Sequence, residues 1–238
     1  MGKYSFTSRV RFSETGEDKK LDLTSIVNYF QDCSTFQTED LGIGFDWLEP
    51  QNLVWILARW QIILHRRPAL GEAIRVTTWP YRFTHAIGSR NFILETEDGE
   101  LLAEADSLWV YQNFKTGELV NIGDYEARLY DPLPAREMAY APRKIRLPKV
   151  DPEPQEPFPV TVSHIDANHH VNNGQYLKMA ENYLPEGFEI GEMRIEYRKS
   201  AVLHDIIHPV LYRTEGELFI DLAGDDGATY AMVHFLKK

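Results

Sequence analysis

The feature that most restricts how this chain can fold is that it repeats itself. At a shift of 133 residues, Ile62-Ile63-Leu64-His65-Arg66-Arg67 lies over Ile195-Glu196-Tyr197-Arg198-Lys199-Ser200, and Leu70-Gly71-Glu72 over Leu203-His204-Asp205. Periodicity around each copy gives the same order of strand, helix and further strands. In the first half, residues 5–12 alternate as a strand. Ile26, Val27, Phe30, Cys33 and Phe36 then recur at helical spacing through about Leu41, behind an N-cap at Asp22 or Thr24 and ahead of Gly42 and Gly44. Strands follow at 54–65, 73–81, 89–97 and 101–112. The second half gives a strand at 158–162, a helix at 171–184, and strands at 191–197, 206–214, 217–222 and 229–236. A single such helix cannot cover its apolar face alone, so the two units are expected to pair their sheets and bury both helices. The expected class is α+β, each helix packed on an antiparallel sheet. The expected boundaries are 1–134 and 157–238, joined by a proline-rich linker over 135–156.

Composition narrows the function. A net charge of −11 with no dominant basic face argues against nucleic-acid binding. The linker is a local exception: Arg136, Arg143, Lys144, Arg146 and Lys149 make it a possible landing strip for an acidic partner. Cys33 is the only cysteine, which excludes a disulfide within the chain and suits a reducing compartment such as the cytoplasm. The first residues carry no apolar signal core, and no apolar run is long enough to span a membrane.

The chemistry concentrates in Ser163–Tyr176, SHIDANHHVNNGQY. Asp166, Asn168 and His170 alternate, and in an extended segment alternate side chains face one side. The following helix would bring backbone N–H groups to the same place, suited to an oxygen that gains negative charge. With one cysteine and no G-x-S-x-G elbow, Asp166 is the candidate nucleophile or general base. Asn168 would orient a carbonyl or a water. His170 would hydrogen-bond the reacting group and move a proton. His169 is given no role. No cofactor is called for, and no H-E-x-x-H or comparable metal spacing occurs.

The run D-A-N-H-H-V-N-N-G-Q-Y resembles the D-x-N-x-H-V-N-N-x-x-Y signature of the acyl-carrier-protein (ACP) thioesterases of plastids and bacteria. Leu23-Thr24-Ser25-Ile26-Val27-Asn28-Tyr29-Phe30-Gln31-Asp32, Leu70-Gly71-Glu72, Thr77-Thr78-Trp79-Pro80 and Ile195-Glu196-Tyr197-Arg198 agree with it in order. The resemblance implies two tandem hotdog domains and hydrolysis of fatty acyl-ACP, in fatty acid biosynthesis. It implies Asp166, Asn168 and His170 as the catalytic set in the second hotdog. It also implies an acyl chain housed in the first, near its helix and Trp55, Trp60 and Trp79. A monomer or a homodimer would serve. The sequence departs from the family at Ser200, where a glutamate is usual. Glu196, Asp205 and Glu181 are the carboxylates available to replace it. An acyl-CoA thioesterase and a non-catalytic acyl-binding protein are the alternative readings.

Overall fold

The computed structural model describes residues 2–238 and divides the chain into two units: Met1–Ala58 with His65–Tyr140, and Arg59–Leu64 with Ala141–Lys238. In the first unit the sheet runs β1 (Tyr4–Arg9), β3 (Ala73–Thr84), β4 (Ile87–Thr96), β5 (Leu101–Asn113), β2 (Leu53–Leu64). Helix α1 (Leu23–Asp40) packs on β1 and β3. Its N-cap is Asp22, whose side chain accepts the Ser25 N–H, and Gly42 just beyond the C-cap takes φ +73°. Leu23, Ile26, Val27, Phe30 and Cys33 are buried, and the Phe30 ring tilts against Phe92 at 5.2 Å. The stretch after α1 holds a one-turn helix α2 (Phe45–Leu48).

In the second unit, residues 59–63 of β2 pair with β8 (Ile190–Tyr197), followed by β11 (Thr229–Lys237), β10 (Glu217–Ala223) and β9 (Ile206–Thr214). All of these pairs are antiparallel. Helix α4 (Asn173–Glu181) packs on β10 and β11 and buries Gly174, Tyr176, Leu177, Met179 and Ala180. It is shorter than the 171–184 expected, because Asn172 caps it and the chain turns at Asn182–Tyr183.

The proline-rich stretch is more ordered than a surface linker. Just before it lies helix α3 (Asp124–Tyr130), which sequence reading missed; the stretch itself adds the two-residue strand β6 (Glu153–Pro154) to β9, and β7 (Phe158–Pro159), just after it, does the same. The expected strand at 158–162 is therefore cut short. Proline cannot donate, so side chains of the sheets do the tethering. In the first unit, Trp79 Nε1 donates to the Pro134 carbonyl at 3.0 Å and the Arg136 N–H to Asn91 Oδ1 at 3.0 Å. In the second, the Ala141 N–H donates to Gln61 Oε1 at 2.8 Å, Arg194 donates to the Pro142 carbonyl, and the Ile145 N–H donates to Glu196. Ile145 then joins Phe219 and Met232 in a small buried cluster. Trp60 and Trp79 are buried, and Trp55 leans on Tyr111 at 4.6 Å.

Candidate active site

The segment before α4 is a closed turn, which corrects the expectation that it is extended. The Asp166 N–H donates to the His170 carbonyl at 2.9 Å and the His169 N–H to the Asp166 carbonyl at 3.1 Å. Asp and Asn favour such turns because their side chains bond backbone two residues on, and Asp166 does so. Its Oδ1 accepts the Asn168 N–H at 2.8 Å and the His170 N–H at 3.4 Å. The three residues therefore converge through backbone amides. Asp166 is half-buried, while Asn168 and His170 are exposed. Among the described residues, neither exposed side chain is bonded to Asp166.

The first unit carries the same loop, at a shift of 150 residues. Each loop opens with a one-turn 3-10 helix, Phe12–Glu14 and Val162–His164. Each closes with a bridge, Thr15 to Leu21 and Ile165 to Val171. The Gly16 N–H donates to the Lys20 carbonyl as Asp166 does to His170, and the Lys19 N–H to Gly16 as His169 does to Asp166. Lys19 and His169 both sit in the left-handed region, at φ 57° and 61°, where side chains other than Gly and Asn are uncommon. The strained backbone is thus a property of the shared frame, since Lys19 adopts it without the acid. What differs is the chemistry. Gly16, Asp18 and Lys20 stand where the second unit has Asp166, Asn168 and His170, and Asp18 is paired with Arg67.

The amides near the helix start are largely committed. Val171 donates to Ala201, Asn172 to His164 and Gln175 to Asn172, all at 2.9 Å, and Gly174 to the Asn172 side chain. This corrects the expectation that they would receive an oxyanion. The Asn168 carboxamide and the His170 ring are both open to solvent.

The substitutes for a glutamate at Ser200 also separate. Glu196 is buried and bonded to Ile145 and, at 3.0 Å, to Arg198. Glu181 closes α4, at the far end from the loop. Asp205 accepts the Val202 N–H at 3.0 Å and the Tyr230 hydroxyl at 2.9 Å. It is the one of the three whose charge is felt at Tyr176 together with that of Asp166. Within the first unit, a cleft of about 570 Å³ is lined by residues such as Tyr81, Phe83 and Asp131 and includes none of the predicted site residues.

Comparison with known proteins agrees with this architecture. Residues 2–129 match the acyl-ACP thioesterase N-terminal domain and residues 148–232 its C-terminal domain. An acyl-[acyl-carrier-protein] hydrolase of Cuphea viscosissima is 26% identical over 81% of this chain and 50% of its own length. An oleoyl-acyl carrier protein thioesterase of Arabidopsis thaliana is 24% identical over 92% of this chain and 66% of its own. The chain thus spans about half the length of the first of these and two-thirds of the second. Among solved structures, an acyl-ACP thioesterase from Bacteroides thetaiotaomicron superposes with a TM-score of 0.91 at 20% identity, covering 99% of this chain and 98% of that one. The 12:0-ACP thioesterase from Umbellularia californica gives 0.84 at 19% identity, covering 99% and 97%. At these identities the superpositions show the fold, which is the expected one.

Proposed function

The chain belongs to the acyl-ACP thioesterase family, and from that membership and the loop at Asp166 we propose that it hydrolyses fatty acyl-ACP to free fatty acid and ACP, in fatty acid biosynthesis in the cytoplasm. The observation that carries this reading is the contrast between the duplicated loops. One backbone frame is built twice, and the set Asp–Asn–His at these three places occurs only in the second copy. We accordingly assign catalysis to the 157–238 half and the acyl chain to the 1–134 half.

In the proposed reaction, Asp166 attacks the thioester carbonyl or takes a proton from a water that does. The two amides on Oδ1 hold its carboxylate in place. Asn168 and His170 stabilise the oxyanion, each such donor being worth about 100–1,000-fold in rate. In the water route the C–S bond breaks as the proton taken from water passes to the leaving thiolate by way of His170; in the covalent route the thiolate leaves first and water then opens the acyl–Asp166 anhydride, its proton going to the thiolate, so that either route yields a carboxylic acid and a thiol. Oxygen-18 water in a single turnover separates the routes, since solvent label appearing in Asp166 marks covalent attack. The direct test of the function is thiol release from acyl-ACP, compared with acyl-CoA of equal chain length. Absence of release from both ends the reading.

Ser200→Glu restores the family's usual carboxylate beside the loop and is expected to raise turnover by about tenfold, less than the roughly 100-fold or more that a fully placed base supplies. A fall would mean that the site is built around the serine. We also propose that the exposed Arg143, Lys144, Arg146 and Lys149 receive the acidic carrier. Among the described residues none has an ion-pair partner in the structure. Changing all four to Ala is expected to raise KM for acyl-ACP about tenfold, with a shallower salt dependence. Turnover of an uncharged acyl-thioester should stay as it was; equal losses on both substrates would remove the docking role.

A further inference from the structure

Arg194 and Glu196 are buried charged residues that the chemistry above does not use, and both spend bonds on the proline-rich stretch. They stand two apart on β8, so their side chains leave the same face of the sheet, about 7 Å from each other. Arg194 donates to the Pro142 carbonyl and Glu196 accepts the Ile145 N–H. The two residues between those pins are Arg143 and Lys144. The chain bends there, and both are exposed. Ile145 is buried with Phe219 and Met232, and on the near side Ala141 donates to Gln61 at 2.8 Å. Four residues are thus stapled at both ends to one strand, and what they hold out is a pair of cations.

A backbone N–H needs only a neutral acceptor, and Gln61 supplies one to Ala141 without a charge. At the shift of 133 residues, β2 carries Gln61 and Ile63 at the places of Arg194 and Glu196. The repeated strand therefore forms without these charges. Burying a carboxylate is costly unless it is paired and hydrogen-bonded, and Glu196 is both: Oε2 takes Arg198 at 3.0 Å and Oε1 takes the Ile145 amide. A bond to an ionised acceptor is about twice as strong as a neutral one. Here it also sets an anion beneath a stretch in which Arg143, Lys144 and Arg146 crowd three like charges around Ile145. Without that anion, their repulsion would spread the stretch.

The other face of β8 and the residues after it serve the site loop. The Tyr197 hydroxyl donates to the Asn173 carbonyl at 3.0 Å. Ala201 accepts the Val171 N–H at 2.9 Å and donates its own N–H to the Tyr176 oxygen at 2.8 Å. The first unit has Pro68 at that place, which accepts from Leu21 at 2.8 Å and has no N–H to give. The cationic bend and the site loop thus hang from one strand through separate residues.

We propose that Glu196, together with Arg194, is a positioning residue for the carrier: it holds Arg143 and Lys144 as a fixed pair for an acidic partner, and so acts on acyl-ACP binding and not on thioester cleavage. This rests on the thioesterase reading above, in which these cations meet the carrier. The test is a cycle of E196L, R143A/K144A and the triple variant E196L/R143A/K144A, assayed for thiol release from acyl-ACP and from an uncharged acyl-thioester. R143A/K144A is expected to raise KM for acyl-ACP about fivefold and E196L about threefold, as for exposed charges that lose their partner or their setting. In the triple variant the leucine should add less than about 1.5-fold, because no pair is left to hold. Turnover of acyl-ACP at saturation, and both constants for the uncharged substrate, should stay within about twofold, since only binding is removed. The proposal fails if R143A/K144A leaves KM unchanged. It fails too if E196L raises KM by the same factor in both backgrounds, lowers kcat, or harms both substrates alike, because Glu196 then only supports the fold. The thioesterase reading survives each of those results. If E196L does not fold, R194M, which releases the pin at Pro142, is taken through the same cycle under the same criteria. A wild-type protein that releases no thiol from either substrate sinks the reading and this inference together.

Discussion

Asp166→Asn is expected to lower turnover by about 1,000-fold or more while the protein stays folded. The substitution keeps a side-chain oxygen, so the Asn168 and His170 amides retain their acceptor and the turn survives. What it removes is the charge and basicity on which the proposed attack depends, and acid–base catalysis alone contributes about 100- to 10,000-fold. Asp166→Ala should match it in activity and cost more in stability, since the turn loses its acceptor too. The measurements are thiol release from acyl-ACP and a denaturation midpoint. A folded Asp166→Asn protein with full turnover would remove Asp166 from the chemistry.

The second large effect is on stability. Phe30 is fully buried on α1 and packs against Phe92 of β4 at 5.2 Å. Phe30→Ala removes the ring from a helix face that the sheet encloses, and is expected to destabilise by about 3–5 kcal/mol, from lost transfer and a residual cavity. That is a large fraction of the stability of an ordinary domain. Urea unfolding followed by tryptophan fluorescence reads it directly. A change under about 1 kcal/mol would mean that the surroundings collapse into the space, which close packing of the interior resists.

Much of the fold was legible because it is written in period. β9 falls at the residues its alternation marked, and α1 ends one residue from where helical spacing and the paired glycines put it. Helix α3, seven residues ending just before Pro132, was too short to show a period. Its signal was electrostatic, with Asp124 and Glu126 in the first turn and Arg128 in the last. At the site, the residue types marked one loop but not its shape. Alternation suggested a strand, but Asp, Asn and a left-handed His169 are turn chemistry, and the turn gathers amides before it gathers side chains. The Tyr176–Ala201 bond could not be read at all. Tyr176 counted as an apolar member of its helix, and its partner lies 25 residues away across a strand. Only the repeat hinted at it, through Pro68 at the equivalent place.

The two loops share one backbone and differ in what hangs from it. The first copy holds Lys19 at a left-handed torsion that lysine dislikes, although it lacks the Asp–Asn–His set. Its shape must then be kept for seating α1 and closing off the start of that helix. The kinship of the two halves is accordingly plainer in the curve of this loop than in its letters.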